Sequence, residues 1–364
     1  MTSSKFFTFF IMAAAILSLI TCYLSLFFVL LQRKMEKGKG ILRFLKDWTL
    51  PVSIGVGTLC YLTFDMVPAL DAAGTALAPV FDTLFPLFVF LTLFVTFCKV
   101  DFHQMRPHRW HVGVLLAQVL LVAGTIAVIL MSGDKSQVTS DKVLLWEAML
   151  TCIIGPSASA APVVVGKLGG NISTMTTYTL ISSLASALMI PAVFPMLEPA
   201  ADVTFLSAFF MILQKVSMVL LLPLVLGWLV QHYMKRLCRW ITSKNDLSFY
   251  CWCISLSITT GITVKNIVHS DASTTLLLWI AVASLLLCFV QFFIGRGVGR
   301  WLGEEVNSGQ ALFQKNTALS IWVAYMYLNP VSSIGAGCYV LWQNVINSLE
   351  LWQYRRTNKV AADG

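Results

Sequence analysis

Two prolines stand six residues apart inside a stretch, Trp146 to Pro195, that is apolar enough to cross a membrane. The interruption reads Gly155-Pro156-Ser157-Ala158-Ser159-Ala160-Ala161-Pro162. Each proline removes a backbone donor and clashes with the carbonyl four residues back, so no unbroken helix runs through it. Freed amides and carbonyls are tolerated in hydrocarbon only where they face protein or a watery cavity. A span broken at mid-depth, matched by another in the second half of the chain, points to the binding site of a secondary transporter. The matching stretch is Gly309 to Leu328, with Gln314-Lys315-Asn316-Thr317 at its middle.

The rest of the chain has the composition such a span needs around it. Hydrophobic residues make up 57% and charged residues 12%, with mean hydropathy +0.79. A soluble protein of this length keeps roughly a quarter of its residues charged. The chain is therefore a polytopic all-α membrane protein, whose first partner is the lipid bilayer. Apolar runs of about 20 residues, the length that crosses the hydrocarbon core, mark its spans. They lie at 7–31, 48–66, 78–98, 111–131, 144–166, 174–197, 206–231, 247–267, 273–296, 304–328 and 331–352. The nine cysteines are scattered through apolar segments, and Cys251 and Cys253 lack zinc spacing. They read as small buried hydrophobes, and no metal is expected.

The net charge of +8 follows from where the bases sit and calls for no nucleic-acid partner. One set of loops and the tail hold 19 of the 25 lysines and arginines, from Arg33 and Lys34 through Arg106 and Arg109, Lys235 and Arg236, and Arg296 to Arg355 and Lys359. The alternate loops hold only Lys5, Lys135, Lys142 and Lys265. This asymmetry predicts a multi-pass plasma (inner) membrane protein with a cytoplasmic C-terminus. The first segment is longer than a signal-peptide core and lacks a small-residue cleavage site before a polar stretch. It reads as an extra transmembrane helix within residues 1–34, dispensable to the rest, with translation from Met35 as the alternative. The remaining ten spans divide into two fives, and the fourth of each is the broken one. Five is odd, so the second five enters from the opposite side. The expected architecture is a ten-helix 5+5 inverted repeat with two broken crossing helices, plus one extra N-terminal transmembrane helix.

Several short segments then occur in a fixed order. They are Pro86-Leu-Phe-Val-Phe, Ala117-Gln118, Gly155-Pro156-x-x-Ser159-Ala160 and Ile190-Pro-Ala-Val-Phe194. Leu222-Pro-Leu-Val-Leu-Gly227, Gln314-Lys-Asn316-Thr-Ala-Leu319 and Trp342-Gln-Asn344-x-x-x-Ser348-Leu349 follow. Over Phe44 to Arg355 the chain resembles the bile acid:sodium symporter family, as a divergent, bacterial-type member. The resemblance implies panel helices at 44–98 and 206–267, core helices at 111–197 and 273–352, and a cytoplasmic tail at 353–364. The two bodies would move against each other in alternating access. It also implies a small organic anion as substrate, bile-acid-like or a smaller carboxylate or sulfonate, usually driven by sodium.

The departures bear on the sodium. Where the family carries a Ser-Asn pair in the first crossing, this chain has Ala161-Pro162. Where it carries a glutamate before a Gln-Asn pair in the second, the stretch is Gln310-Ala-Leu-Phe-Gln-Lys-Asn316. Either Gln314 or Lys315 takes the family's glutamine position, depending on a one-residue alignment choice. Gln118, Thr179, Ser183 and Gln314 read as remnants of ion sites. Sodium is the one cofactor-like ion in question, and its site is depleted. Coupling to sodium is therefore expected to be weakened or absent, with Lys315 standing in for part of the charge.

A lysine near mid-bilayer costs about 2.5–3.5 kcal/mol even on lenient insertion scales, so Lys315 is expected to face a polar cavity. Its alternative is a snorkelling position at the cytoplasmic edge. Ser157, Ser159, Lys315, Asn316, Thr317, Gln343 and Asn344 are the candidate substrate-binding residues. Polar residues such as Gln118, Asn344 and Asn347 also serve as links between helices. Glu147 and Asp65 read as solvated helix ends, and His103, His108 and His111 as part of a solvated basic loop. Two further classes stand beside the transporter. A serine of the first break with Lys315 would make a Ser–Lys nucleophile pair, and the chain is expected not to be an enzyme. A sensor or scaffold that kept the fold and lost transport is the other.

Overall fold

The computed structural model of the protein describes residues 49–99, 106–132, 140–198, 204–244 and 247–363. The expected extra helix within residues 1–34 lies outside the described residues, as does His103. Apolar runs coil into helices because an intrahelical ladder satisfies the backbone without water. In chain order these are α1 (Thr49–Met66), α2 (Asp71–Lys99), α3 (Arg109–Ser132), α4 (Asp141–Ile154) and α5 (Ala161–Lys167). Then come α6 (Ile172–Leu197), α7 (Phe205–Leu220), α8 (Leu222–Tyr233), α9 (Lys235–Thr242) and α10 (Leu247–Val268). The last are α11 (Thr274–Leu302), α12 (Glu305–Phe313), α13 (Thr317–Tyr327) and α14 (Ser333–Asp363). Among the described residues, six stretches are long and apolar enough to cross a membrane: Pro68–Lys99, Arg109–Ser132, Ile172–Leu197, Phe205–Tyr233, Tyr250–Val268 and Thr274–Leu302.

Local chemistry sets the helix ends. Ser140, Asn171, Thr204 and Ser273 each cap an N-terminus by accepting a backbone amide with the side-chain oxygen. The span expected at 206–231 is interrupted at Leu221 between α7 and α8, where Pro223 has no amide to offer the preceding turn. The last helix runs on to Asp363, through what the sequence suggested as a tail. Residues 351–362 are mostly good helix formers without proline or glycine, so nothing stops it.

The helices sort into two packed groups. One is α1, α2, α8 and α10, with the short α9 against α2. The other is α3 to α6 with α11 to α14, and α7 lies chiefly along α6. An apolar cluster joins the groups, placing Val89, Leu93 and Phe97 of α2 with Leu150 and Ile154 of α4, Val216 of α7, and Leu319 and Val323 of α13. Gly335 lets α14 lie directly on α4: a Cβ there would stand 2.2 Å from the Ala148 carbonyl oxygen. Arg296 of α11 ties α12 and α14 together at the far end, bonding Glu305 at 3.1 Å and also Glu350.

Candidate functional site

Both breaks lie at one place, and each supplies what the other lacks. Residues 155–160 separate α4 from α5, and residues 314–316 separate α12 from α13. Ala158 N donates to Gln314 O at 2.8 Å, and Asn316 N donates to Pro156 O at 2.8 Å. The two extended segments thus form a single antiparallel bridge, Ser157 opposite Lys315. A β-type pairing satisfies extended backbone without water. Gly155 allows the approach, since a Cβ there would sit 2.2 Å from Ser320 Oγ of α13.

Side chains take up the remaining polar groups. Gln118 Nε2 donates to Ile153 O and to Gly155 O, each at 3.0 Å, and Ser186 Oγ donates to Ile154 O at 2.9 Å. Ser157 N donates to Ser182 Oγ at 2.9 Å. Across the bridge, Gln343 holds Lys315 from both sides of its peptide: Lys315 N donates to Oε1 at 3.0 Å, and Nε2 donates to Lys315 O at 3.3 Å. Tyr339 OH donates to Phe313 O at 2.8 Å. Asn316 Oδ1 caps α13 by accepting from Leu319 N at 3.2 Å. Replacing Gln343 with leucine leaves the Lys315 amide unpaired, while the Lys315 carbonyl keeps the bond from Thr317 N at 2.9 Å. Melting of the purified protein in detergent is expected to show a loss of about 1–3 kcal/mol.

The ammonium of Lys315 takes no part in this pairing. The residue is 1% exposed, and Nζ is among the buried polar atoms without a hydrogen-bond partner. It borders a narrow cavity of about 20 Å³, room for about one water molecule. The crossing contributes Ala158, Ser159, Lys315, Asn316 and Thr317 to the lining. Thr92 comes from α2, and Trp252, Ser255 and Thr259 from α10. The N-terminus of α13, with its partial positive charge, opens at the same place. One fixed cation, a helix N-terminus and several hydroxyls can hold one negative charge.

Of the residues singled out in the sequence, Ser159, Lys315, Asn316 and Thr317 line this cavity. Gln343 acts through the Lys315 peptide. Asn344 bonds Val340 O of its own helix at 2.7 Å and leaves Oδ1 without a partner. Gln314 is buried with both amide atoms unpaired. Thr179 and Ser183 donate to Met175 O and Thr179 O, carbonyls of the helix that carries them. Ser157 and Lys315 meet through their backbones only; Oγ and Nζ are each unpaired, so no nucleophile–base hydrogen bond joins them. The sequence reading missed Thr92, Trp252, Ser255 and Thr259. The last three repeat at the spacing of one helix face, a signal present within an apolar span.

Two expectations are corrected. Glu147 is no solvated helix end: it is 1% exposed and accepts from Ser332 Oγ at 2.7 Å, because the start of α14 closes over it. His111 is not in a solvated loop either. Helix α3 begins at Arg109, which turns the ring inward against Trp110 and within 3.1 Å of Thr174 O. Among the described residues no group of His, Cys, Asp and Glu is arranged to hold a metal ion.

Residues 54–336 match the family model of the SBF-like CPA transporter family. No curated protein matches the chain.

Proposed function

The chain belongs to the SBF-like CPA transporter family, and we propose that it is a secondary active transporter of a small organic anion with weakened or absent sodium coupling. The observation that carries this reading is the unpaired Lys315 ammonium beside a cavity at the bridged crossing. Ten spans in two inverted fives account for a broken helix in the fourth position of each half. On this reading α1, α2, α8 and α10 belong to the panel, and the group holding the crossing is the core. The cavity is lined from both, so sliding of one against the other opens it to alternate sides. The loops rich in lysine and arginine face the cytoplasm, as does the C-terminus, in the plasma membrane.

The same residue argues against sodium. A sodium ion about 4 Å from a fixed ammonium is repelled by about 4 kcal/mol at an effective dielectric of about 20. The alanine and proline of Ala161-Pro162 offer no side-chain oxygen in compensation. The test is uptake of radiolabelled carboxylates and sulfonates into proteoliposomes, with sodium replaced by choline. Uptake is expected to persist in choline. Steep sodium dependence with a Hill coefficient near two would refute the coupling and leave anion transport intact; no uptake of any anion would remove transport itself.

A further inference from the structure

Where the apolar stretch Phe205–Tyr233 ends, the chain turns at Met234 into the short helix α9. The two faces of α9 are chemically opposite. Leu237, Cys238 and Ile241 pack against Val95 and Cys98 at the end of α2 and against Val230 of α8. Lys235, Arg236, Arg239 and Trp240 are exposed on the other side, Lys235 one turn from Arg239 and Arg236 one turn from Trp240. Residues 231–245 hold these three bases and Lys244, and no acid. Among the described residues no carboxylate lies within ion-pair distance of any of the four. Lys99, at the end of α2, donates to Lys244 O at 2.7 Å and fixes the far end of the segment.

Aromatic side chains flank the bases. Trp240 is 58% exposed and Tyr233 72%, both at the point where an apolar span gives way to basic chain. Tryptophan and tyrosine, with an apolar body and a polar edge, favour the level where hydrocarbon meets headgroups. Like charges one turn apart destabilise a helix, so an anion laid across Lys235 and Arg239 relieves their repulsion. A free amphipathic helix would turn its apolar face into the bilayer. That face of α9 is already packed on α2, so the basic face is held at the membrane surface.

We propose that α9 is a docking surface for the headgroups of anionic phospholipids, which hold the end of α2 against the leaflet. Helix α2 also carries Thr92 of the Lys315 cavity, so a lipid seated here steadies one wall of that cavity. The test reconstitutes the full chain in phosphatidylcholine vesicles with trace spin-labelled phosphatidylglycerol or phosphatidylcholine, and measures the motionally restricted fraction of each. Wild-type protein is expected to favour phosphatidylglycerol about threefold or more, and high salt to weaken the preference without altering the chain. Lys235→Gln, Arg236→Gln and Arg239→Gln together should remove most of it, and Lys235→Arg, Arg236→Lys and Arg239→Lys together should keep it. Arg106 and Arg109, exposed bases before and at the start of α3, are the control, and changing both to glutamine should leave most of the preference. An equal loss in that control would reduce the effect to net charge and overturn the site, as would a wild type without preference. Displacement of the labelled lipid by glycerol phosphate added in solution would make this a free-phosphate site and overturn membrane docking.

Discussion

Exchanging Lys315 for methionine is expected to abolish anion uptake and, in the same protein, to raise the melting temperature. The two effects have opposite signs because they come from one unpaired charge. Without ligand, the ammonium is enclosed with no carboxylate and no hydrogen-bond acceptor. An uncompensated buried charge destabilises a fold, and a neutral side chain of similar length relieves it. On the proposed reading, a bound anion pairs with the same ammonium. Removing one member of a buried charge pair costs about 2–5 kcal/mol, on the order of 30-fold to 4,000-fold in affinity. Proteoliposome uptake and a detergent melt on the same preparation check both halves. Uptake at the wild-type rate in Lys315→Met would place the substrate elsewhere.

Gly335→Val is expected to have the largest effect on stability. The added Cβ would stand 2.2 Å from the Ala148 oxygen and 2.7 Å from its carbonyl carbon, both backbone atoms that no rotamer change can move. Overpacking typically costs about 1–3 kcal/mol where side chains can yield, and a backbone contact belongs at or above the top of that range. The displaced α14 would strain the bond from Ala336 N to Thr151 Oγ1, now 3.2 Å, and pull Gln343 from the Lys315 peptide. Gly297 is the control: nothing lies within 4 Å of its Cβ position. Gly297→Ala should be neutral or stabilising by up to about 1 kcal/mol, since glycine weakens a helix interior. A Gly335→Val protein that melts with the wild type would mean that α4 and α14 do not lie in contact.

The first break was legible because Pro156 and Pro162 flank a run of small residues; proline alone does not mark a break, since α2 runs unbroken through Pro79 and Pro86 and Pro162 sits in the first turn of α5. The second has no proline or glycine between Gln314 and Asn316. It showed only as four polar residues, Gln314 to Thr317, in an apolar run, which left the position of Lys315 open between mid-depth and the edge. What braces the breaks could not be read from the sequence. Gln343 is 28 residues from the peptide it holds, Gln118 is 35 from the Ile153 carbonyl, and Ser332 is 185 from Glu147. A glutamate one turn into a helix looks solvated until the element that covers it is in place. The stripe of Trp252, Ser255 and Thr259 was hidden differently. Scattered hydroxyls in an apolar helix usually bond their own backbone, as Thr259 does to Ser255 O.

The bridge between Ser157 and Lys315 also imposes a waiting time on synthesis. Gln314 is made 156 residues after Ala158, a delay of about 8–30 s at translation rates of roughly 5–20 residues per second. During that interval the Ala158 amide and the Pro156 carbonyl have no partner in the nascent chain. Other donors and acceptors of the first break are already supplied from its own half, by Gln118, Ser182 and Ser186. The N-terminal half can therefore hold its broken helix only unfinished, short of the two bridge bonds and of the bond from Gln291 Nε2 to Cys152 O, until the ribosome delivers the complementary segments. Insertion of the second half thus closes the first, and a chain released before residue 316 would leave the membrane holding an open backbone edge.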